Sequence, residues 1–334
     1  MTNQRVLLAS RPVGMPTESD FRIVSGDLET MAAGDVLVQV LYLSVDPYMR
    51  GRMSDAKSYA EPVPVGGLMV GGTVGRVFRS NSPQFKEGDI VEGYLGWQSL
   101  ALASAKNLRL VDPSIAPIST ALGILGMPGL TAYFGLLDIC KPKAGETVVV
   151  SGAAGAVGSY AGQIAKILGC KVVGIAGSDD KVKLLTDEFG FDAAYNYKTV
   201  TNHYAKLKSL CPNGIDCYFD NVGGAITDAV LGWMNTFARI AICGQISQYN
   251  NTQLELAPRP FTQILVKQAR VEGFIVTRYF ERFEEGRAQM AQWLKEGKLR
   301  YRETIVEGIE NAPKAFISML QGGNTGKMLV KVSD

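Results

Sequence analysis

Apolar positions in the first third of the chain come in short runs punctuated by glycine and proline: DVLVQVLYLSV (35–45), GGLMVGGTVGRVF (66–78), EGDIVEGYLGW (87–97) and SLALASAKNLRLV (99–111). Regularly broken β segments of this kind predict a small barrel or partly open β domain. The pattern changes near Thr131, and from Glu146 onward apolar strands alternate with amphipathic helices. The strands are TVVVS (147–151), KVVGIA (171–176), DAAYNY (192–197), DCYFD (216–220), RIAIC (239–243) and VEGFIV (271–276). Between them the spacing predicts helices over 156–168, from Lys181, over 201–210, over 226–237 and before Arg270. Alternation of this kind builds an α/β doubly wound parallel sheet. A long helix over 283–296 and two more β segments, ETIVEG (303–308) and KMLVKV (327–332), close the chain. Those two segments have no crossover helix in the series, which predicts that the tail returns to the first domain.

At 334 residues the chain suits two domains, each with its own core. Lys+Arg 34 against Asp+Glu 32 gives a net charge of +2 with no basic run, so nucleic acid is not an expected partner. The N-terminal MTNQRVLLASRP lacks the apolar stretch of a signal peptide, and no segment reaches the roughly 18 apolar residues of a membrane helix, which predicts a soluble cytoplasmic protein with no membrane partner. Cys140, Cys170, Cys211, Cys217 and Cys243 contain no CxxC pair and suit buried, reduced thiols. His203 is the single histidine, which sets aside mechanisms built on a histidine dyad or a multi-histidine metal centre.

The strongest local signal is Val148 to Gly158, a strand running into GAAGAVG and a helix. Small residues there let the backbone approach a pyrophosphate, whose charge the helix N-terminus favours. The alternative is a tight strand–helix turn with close packing. The next strand ends in Gly177-Ser178, where an enzyme using NAD places an acid against the ribose. Asp179 and Asp180 follow, but Ser178 is a natural N-cap and acids suit the first turn that comes after it. Lys181 in that turn could meet a 2′-phosphate, which favours NADP (NADPH) over NAD. No cysteine precedes Cys140, Ser44-Val45-Asp46 stands where zinc alcohol dehydrogenases have their first ligand, and GGLMVGG replaces their histidine segment. No metal ligands are therefore assigned.

VDPYMR (45–50), GMPGLTAYFGL (126–136), GAAGAVGSYAGQIAK (152–166), GCKVVGIAGSDDKV (169–182), YNYKT (195–199), DCYFDNVGG (216–224), RIAICGQISQYN (239–250) and GNTGKMLVKV (323–332) together resemble the zinc-free medium-chain dehydrogenase/reductases. Within them the similarity is to the prostaglandin reductase (leukotriene B4 12-hydroxydehydrogenase) branch, with its plant alkenal double-bond reductases and bacterial curcumin reductases. The resemblance implies a GroES-like β-barrel catalytic domain from residues 1–122 with a return segment 300–334, around a Rossmann domain 123–299. Carried onto this chain, it places the pyrophosphate on Ala154, Gly155, Ala156 and Val157, and the 2′-phosphate on Lys181 with Tyr197. Asn221 would sit near the ribose and nicotinamide, the segment Cys243, Gly244, Ile246 and Tyr249 and the segment Phe274, Ile275 and Val276 would flank the nicotinamide half, and Asn324 would reach back to the cofactor. One departure stands out: mammalian members carry a tyrosine in a string like IVIYQ, where this chain reads Leu265-Val266-Lys267-Gln268, so the pocket there differs.

The activity implied is NADPH-dependent reduction of the carbon–carbon double bond of an α,β-unsaturated aldehyde or ketone, with hydride going to the β-carbon and no metal. Such chemistry needs a hydrogen-bond donor where enolate charge gathers. Tyr48 is the first candidate and Tyr249 the second, while Tyr94 and Trp97 would line an apolar substrate pocket. A quinone reductase on the same scaffold and a non-catalytic NADPH-binding protein are the alternatives. A homodimer is the expected assembly.

Overall fold

The computed structural model describes residues 2–28, 30–257 and 259–334. Two compact units emerge, one of Met1–Gly123 with Glu303–Asp334 and the other of Ile124–Arg302.

The first unit begins with β1 (Asn3–Leu8), β2 (Phe21–Gly26), β3 (Asp35–Ser44), the one-turn helix α1 (Met49–Arg52), β4 (Thr73–Ser80), β5 (Ile90–Gly93), β6 (Leu100–Ser104) and β7 (Leu108–Leu110). The second unit holds α2 (Met127–Phe134), β8 (Thr147–Ser151), α3 (Ala156–Ile167), β9 (Lys171–Ala176), α4 (Asp179–Asp187), β10 (Ala193–Asn196), α5 (His203–Leu210) and β11 (Ile215–Asp220). It continues through α6 (Gly224–Gly232), β12 (Met234–Ile242), α7 (Phe261–Val266), β13 (Arg270–Gly273) and α8 (Phe283–Lys295). The chain then re-enters the first unit with β14 (Glu303–Glu307), α9 (Ala312–Leu320) and β15 (Lys327–Lys331).

In the first unit the strand path is β14-β15-β3-β4-β5-β7, with β6 also on β3. The tail enters this sheet because β15 pairs antiparallel with Tyr42 to Ser44 at the end of β3. Among the described residues the path does not close on itself, so the β domain is a partly open one. Its core rests on three rings from distant parts of the chain. Trp97 stacks on Phe21 with centroids 5.6 Å apart, and Phe316 of α9 meets both rings edge-on at 5.9 and 6.2 Å. The Trp97 indole, expected at a substrate pocket, is instead fully buried in this core. Tyr94, three residues earlier, is exposed, because Gly96 at φ 79° turns the chain between the two aromatics.

The second unit has a parallel sheet in the order β10-β9-β8-β11-β12-β13. Every residue of β8 is buried, as expected for a strand with helices on both faces. Val148 and Val150 pack with Tyr160 and Ile164 of α3, while Val149 joins Leu207, Ile226 and Val230 on the opposite side. Two boundaries differ from the sequence pattern. The helix expected over 226–237 stops at Gly232, because Met234 onward is strand β12, and short apolar runs suit either geometry. Helix α9, with Pro313 in its first turn, lies between two segments that the pattern reads only as strands. Among the described residues no helix is long and apolar enough to cross a membrane.

The buried Trp97 Nε1–H meets no acceptor among the described residues. Trp97→Ala should therefore cost about 3–5 kcal/mol of folding stability through the cavity left between Phe21 and Phe316. Trp97→Phe should cost much less, since it also removes a buried donor whose desolvation is worth about 1–3 kcal/mol. Chemical denaturation of the two variants checks this, and equal losses would show that the indole N–H is satisfied.

Candidate functional site

The strand order of the second unit reverses direction between β8 and β11, the place where open α/β sheets bind ligands at their carboxyl ends. At the end of β8 the chain turns through Gly152 at φ 59°, and Gly155 then caps α3 with no side-chain hydrogen bond. The first amides of α3, at Ala156, Val157 and Gly158, have no carbonyl partner within the helix by virtue of their position. A Cβ on Gly158 would lie 2.4 Å from the Gly152 carbonyl oxygen, and one on Gly155 would lie 3.3 Å from the same atom. Helix and turn can close on one another only because these residues lack side chains. The result is a shallow cradle of backbone donors at a helix N-terminus, which fits a pyrophosphate.

At the end of β9, Ser178 caps α4, its Oγ accepting the Lys181 N–H at 3.4 Å. Asp179 receives the Asn196 side chain at 2.9 Å, so this acid ties α4 to the end of β10. The Tyr197 ring closes over Gly177, where an added Cβ would come within 3.1 Å of it. Lys198 reaches the same spot, with its Cε 3.6 Å from that Cβ position. Burial, and then the charge of Lys198, pull the Lys181 ammonium below the usual lysine range. Lys198 is absent from the residues that the sequence pattern singles out. Its one signal there is its place directly after Tyr197.

Beyond β11 lies a polar hub. The Asp220 carboxylate is fully buried and takes six hydrogen bonds. Oδ1 accepts from Ser151 Oγ, the Tyr218 hydroxyl and the Val222 and Gly223 amides, all at 2.9 Å. Oδ2 accepts from Thr227 Oγ1 at 2.8 Å and Gln245 Nε2 at 3.0 Å. Asn221 sits beside it, donating its Nδ2 to the Ser151 carbonyl at 2.8 Å and so bridging β8 and β11 at the reversal point. The Cys243 and Gly244 amides both donate to the Asp220 carbonyl, at 2.8 and 3.1 Å. Ile246 opens a single 3-10 turn, and the Tyr249 hydroxyl folds back to accept the Gln245 N–H at 3.4 Å.

Three expected residues are placed differently from the rest. Phe274 and Val276 are buried, Phe274 packing edge-on against Phe219 and Tyr279, so their side chains serve the core and Ile275 alone of that segment is exposed. Asn324 belongs to the first unit, where its Nδ2 donates to the Gly326 carbonyl at 2.7 Å. None of the thiols with a resolved shift is poised as a nucleophile. Burial pushes Cys170 and Cys211 up to about 11 and Cys243 up to about 12. His203 starts α5 with its ring 3.4 Å from the Tyr195 hydroxyl.

In the first unit, Tyr48 is half-buried at the N-terminus of α1, following Pro47. Burial, then the nearby Asp46 carboxylate, then the Tyr94 phenol with which it hydrogen-bonds, hold its hydroxyl well above the usual phenol range. That direction favours the protonated phenol. Asp46 in turn pairs with the buried ammonium of Lys327 at 3.2 Å. Among the described residues no group of three or more His, Cys, Asp and Glu is arranged to hold a metal ion.

Residues 4–111 match a family model described as the N-terminal domain of oxidoreductase, and residues 156–295 match one described as zinc-binding dehydrogenase. The chain is 48% identical to the NADPH-dependent curcumin reductase of Escherichia coli over 337 residues, covering 99% of this chain and 97% of that protein. It is 49% identical to prostaglandin reductase 1 of Rattus norvegicus over 323 residues, 95% of each. The chain belongs to the zinc-free branch of the medium-chain dehydrogenase/reductases. A solved structure of CurA from Vibrio vulnificus in complex with NADPH superimposes with a TM-score of 0.95 at 48% identity, covering 99% of both chains. Within the family, the glycine turn, the Tyr197 corner and the VDPYMR loop of this chain are the features on which a function can be argued.

Proposed function

We propose that this oxidoreductase uses NADPH to reduce the carbon–carbon double bond of α,β-unsaturated aldehydes or ketones. The observation that carries the reading is the placement of the Tyr48 phenol, half-buried at the N-terminus of α1 behind Pro47 and beside the buried Asp46, where burial favours its protonated form. A phenol in that state donates a hydrogen bond without surrendering its proton. It suits an oxygen that gains charge transiently, as the carbonyl oxygen of an enone does when its β-carbon is reduced. NADPH, when bound, supplies the reducing equivalent as hydride. The backbone at Ala154, Gly155, Ala156 and Val157 would hold its pyrophosphate, and Lys181, Tyr197 and Lys198 its 2′-phosphate. Asn221, Cys243, Gly244, Ile246 and Tyr249 would border the nicotinamide half, joined by the backbone of 274–276. Tyr249, with its oxygen already accepting from its own loop, is the second choice as donor.

The partner we assign to the edge of the parallel sheet is a second copy of the chain. Strand β13 pairs on one side with β12 and ends the sheet, and Phe261, Leu265, Val266, Val271 and Ile275 on or beside it are exposed. An unpaired edge flanked by apolar side chains is self-complementary under a two-fold axis. Light scattering should give twice the chain mass, and Val271→Lys should shift it towards a monomer. A wild-type monomer at micromolar concentration would refute the assignment.

Cofactor choice is tested by charge reversal. Lys181→Glu and Lys198→Glu should each raise the KM for NADPH by about 10-fold or more, against little change for NADH, since only NADPH carries the 2′-phosphate. Equal effects on both cofactors would remove these lysines from the phosphate site.

The reaction is tested by its product. With NADPH, an aliphatic enal and a diaryl enone should yield the saturated carbonyl compounds, and Tyr48→Phe should lower kcat by about 10²-fold without a matching rise in KM. Because the phenol is held above its usual range, wild-type kcat should show no loss from tyrosine ionisation as pH rises to about 10. An allylic alcohol would overturn the double-bond reading, and turnover of benzoquinone alone would favour the quinone reductase.

A further inference from the structure

Lys327, the first residue of β15, is 1% exposed. Its ammonium has three N–H donors and three acceptors: the Val45 carbonyl at 2.8 Å, the Met328 carbonyl at 2.7 Å and Asp46 Oδ1 at 3.2 Å. Asp46 is buried as well, and its other oxygen accepts the Ser44 hydroxyl. Across the β14–β15 ladder Lys327 faces Glu303, which takes the Ser119 hydroxyl at 3.0 Å.

Burying two charges costs several kcal/mol per ion, and well-packed apolar residues of equal volume are commonly as stable or more so. Stability alone is therefore a weak reason for this pair. Its contacts point to another. Apart from the Met328 carbonyl on its own strand, every group the ammonium holds belongs to residues 45 and 46. The Val45 N–H also donates to the Met328 carbonyl at 3.2 Å, and the Asp46 carbonyl accepts the Met49 N–H at 3.2 Å, closing the turn that contains Tyr48. Pro47 fixes φ between them. The segment leading to the phenol is thus pinned on both sides of Val45 to one strand, and Asp46 lies near enough to influence the Tyr48 hydroxyl.

We propose that the buried Asp46–Lys327 pair is a positioning device for the Tyr48 hydroxyl, anchoring the Val45–Tyr48 backbone to β15 so that the donor is held in one place. The proposal rests on Tyr48 being the donor named above. Neither Asp46 nor Lys327 touches the reacting atoms; both act through Tyr48.

The test is a double-mutant cycle in the full-length protein with an enone and NADPH. Asp46→Asn should lower kcat about 10- to 100-fold, the scale of an ångström-level misplacement, with the KM for NADPH within about twofold of wild type. In the Tyr48→Phe background the same substitution should change kcat less than about twofold, because no hydroxyl remains to be positioned. Lys327→Met should behave like Asp46→Asn, and Lys327→Arg should recover part of the loss. Equal losses from Asp46→Asn in both backgrounds would overturn the proposal and leave the pair a structural element. Full kcat in the single Tyr48→Phe variant would overturn the donor reading, and this proposal with it, before any variant of the pair is measured. Should Asp46→Asn not fold, Ser44→Ala removes one hydrogen bond from Asp46 while keeping both charges. It runs the same cycle with an expected loss of about threefold, again confined to the background that retains Tyr48.

Discussion

One buried carboxylate, that of Asp220, organises the loops at the point where the strand order of the second unit reverses. Six donors converge on its two oxygens from β8, β11, the start of α6 and the loop after β12. Its backbone carbonyl takes the Cys243 and Gly244 amides as well. No neutral side chain of this size could replace it, since an amide offers one acceptor oxygen and would turn a donor towards Thr227 and Gln245 or towards Ser151 and Tyr218. Left unmet, each buried donor would cost about 1–3 kcal/mol. The loop of Gly223 and Gly224, at φ 76° and 61°, can wrap so tightly only because both residues lack a Cβ and because the carboxylate collects the amides that the turn exposes.

The first unit meets a related demand with different chemistry. Where Asp220 is satisfied by neutral donors, Asp46 is satisfied by a lysine and a hydroxyl. The difference follows from what each must hold. Around Asp220 several loop amides converge, and an anion draws them in from all sides. Around Asp46 two carbonyls, those of Val45 and Met328, approach each other, and carbonyls repel an anion. A cation has to stand between them, and burial then requires a carboxylate to balance it. Desolvation pulls the Lys327 ammonium below its usual range and the Asp46 charge opposes that pull, so the pair holds together as a unit.

How far this was legible in the sequence varies with the range of the interaction involved. The glycine turn before α3 and the Ser178 cap of α4 are local: the residues that create the geometry lie within a few positions of it, and both stand where the sequence pattern puts them. Trp97 was misplaced because an aromatic in the loop after a short strand can face either way, and Phe21 and Phe316, which decide it, come from segments far apart in the chain. That the Phe274 side chain packs inward could not be read locally either, its partner Phe219 lying two strands away in the sheet order. Asp220 was visible as an acid closing an apolar strand, yet nothing local distinguishes a hub of six donors from a capping residue. Helix α9 escaped because its apolar face is completed by Trp97 and Met328 of other segments.

The corner at Tyr197 shows how selectivity can precede the ligand. Burial and then the charge of Lys198 lower the affinity of Lys181 for its proton, and the second of these causes means that the two ammoniums repel across a shared space. Repulsion of this kind raises the free energy of the protein alone, and an anion placed between the two ammoniums removes it. A 2′-phosphate does so, whereas a 2′-hydroxyl leaves it in place. Discrimination on this reading comes from repulsion relieved by one cofactor as well as from the hydrogen bonds formed to its phosphate. Gly177 belongs to the same corner: a side chain there would meet the Tyr197 ring at 3.1 Å and displace it. Asp179, in the first turn of α4, takes the Asn196 side chain at 2.9 Å and so ties this turn to the end of β10. The acids Asp179 and Asp180 in the first turn of α4 suit its helix dipole.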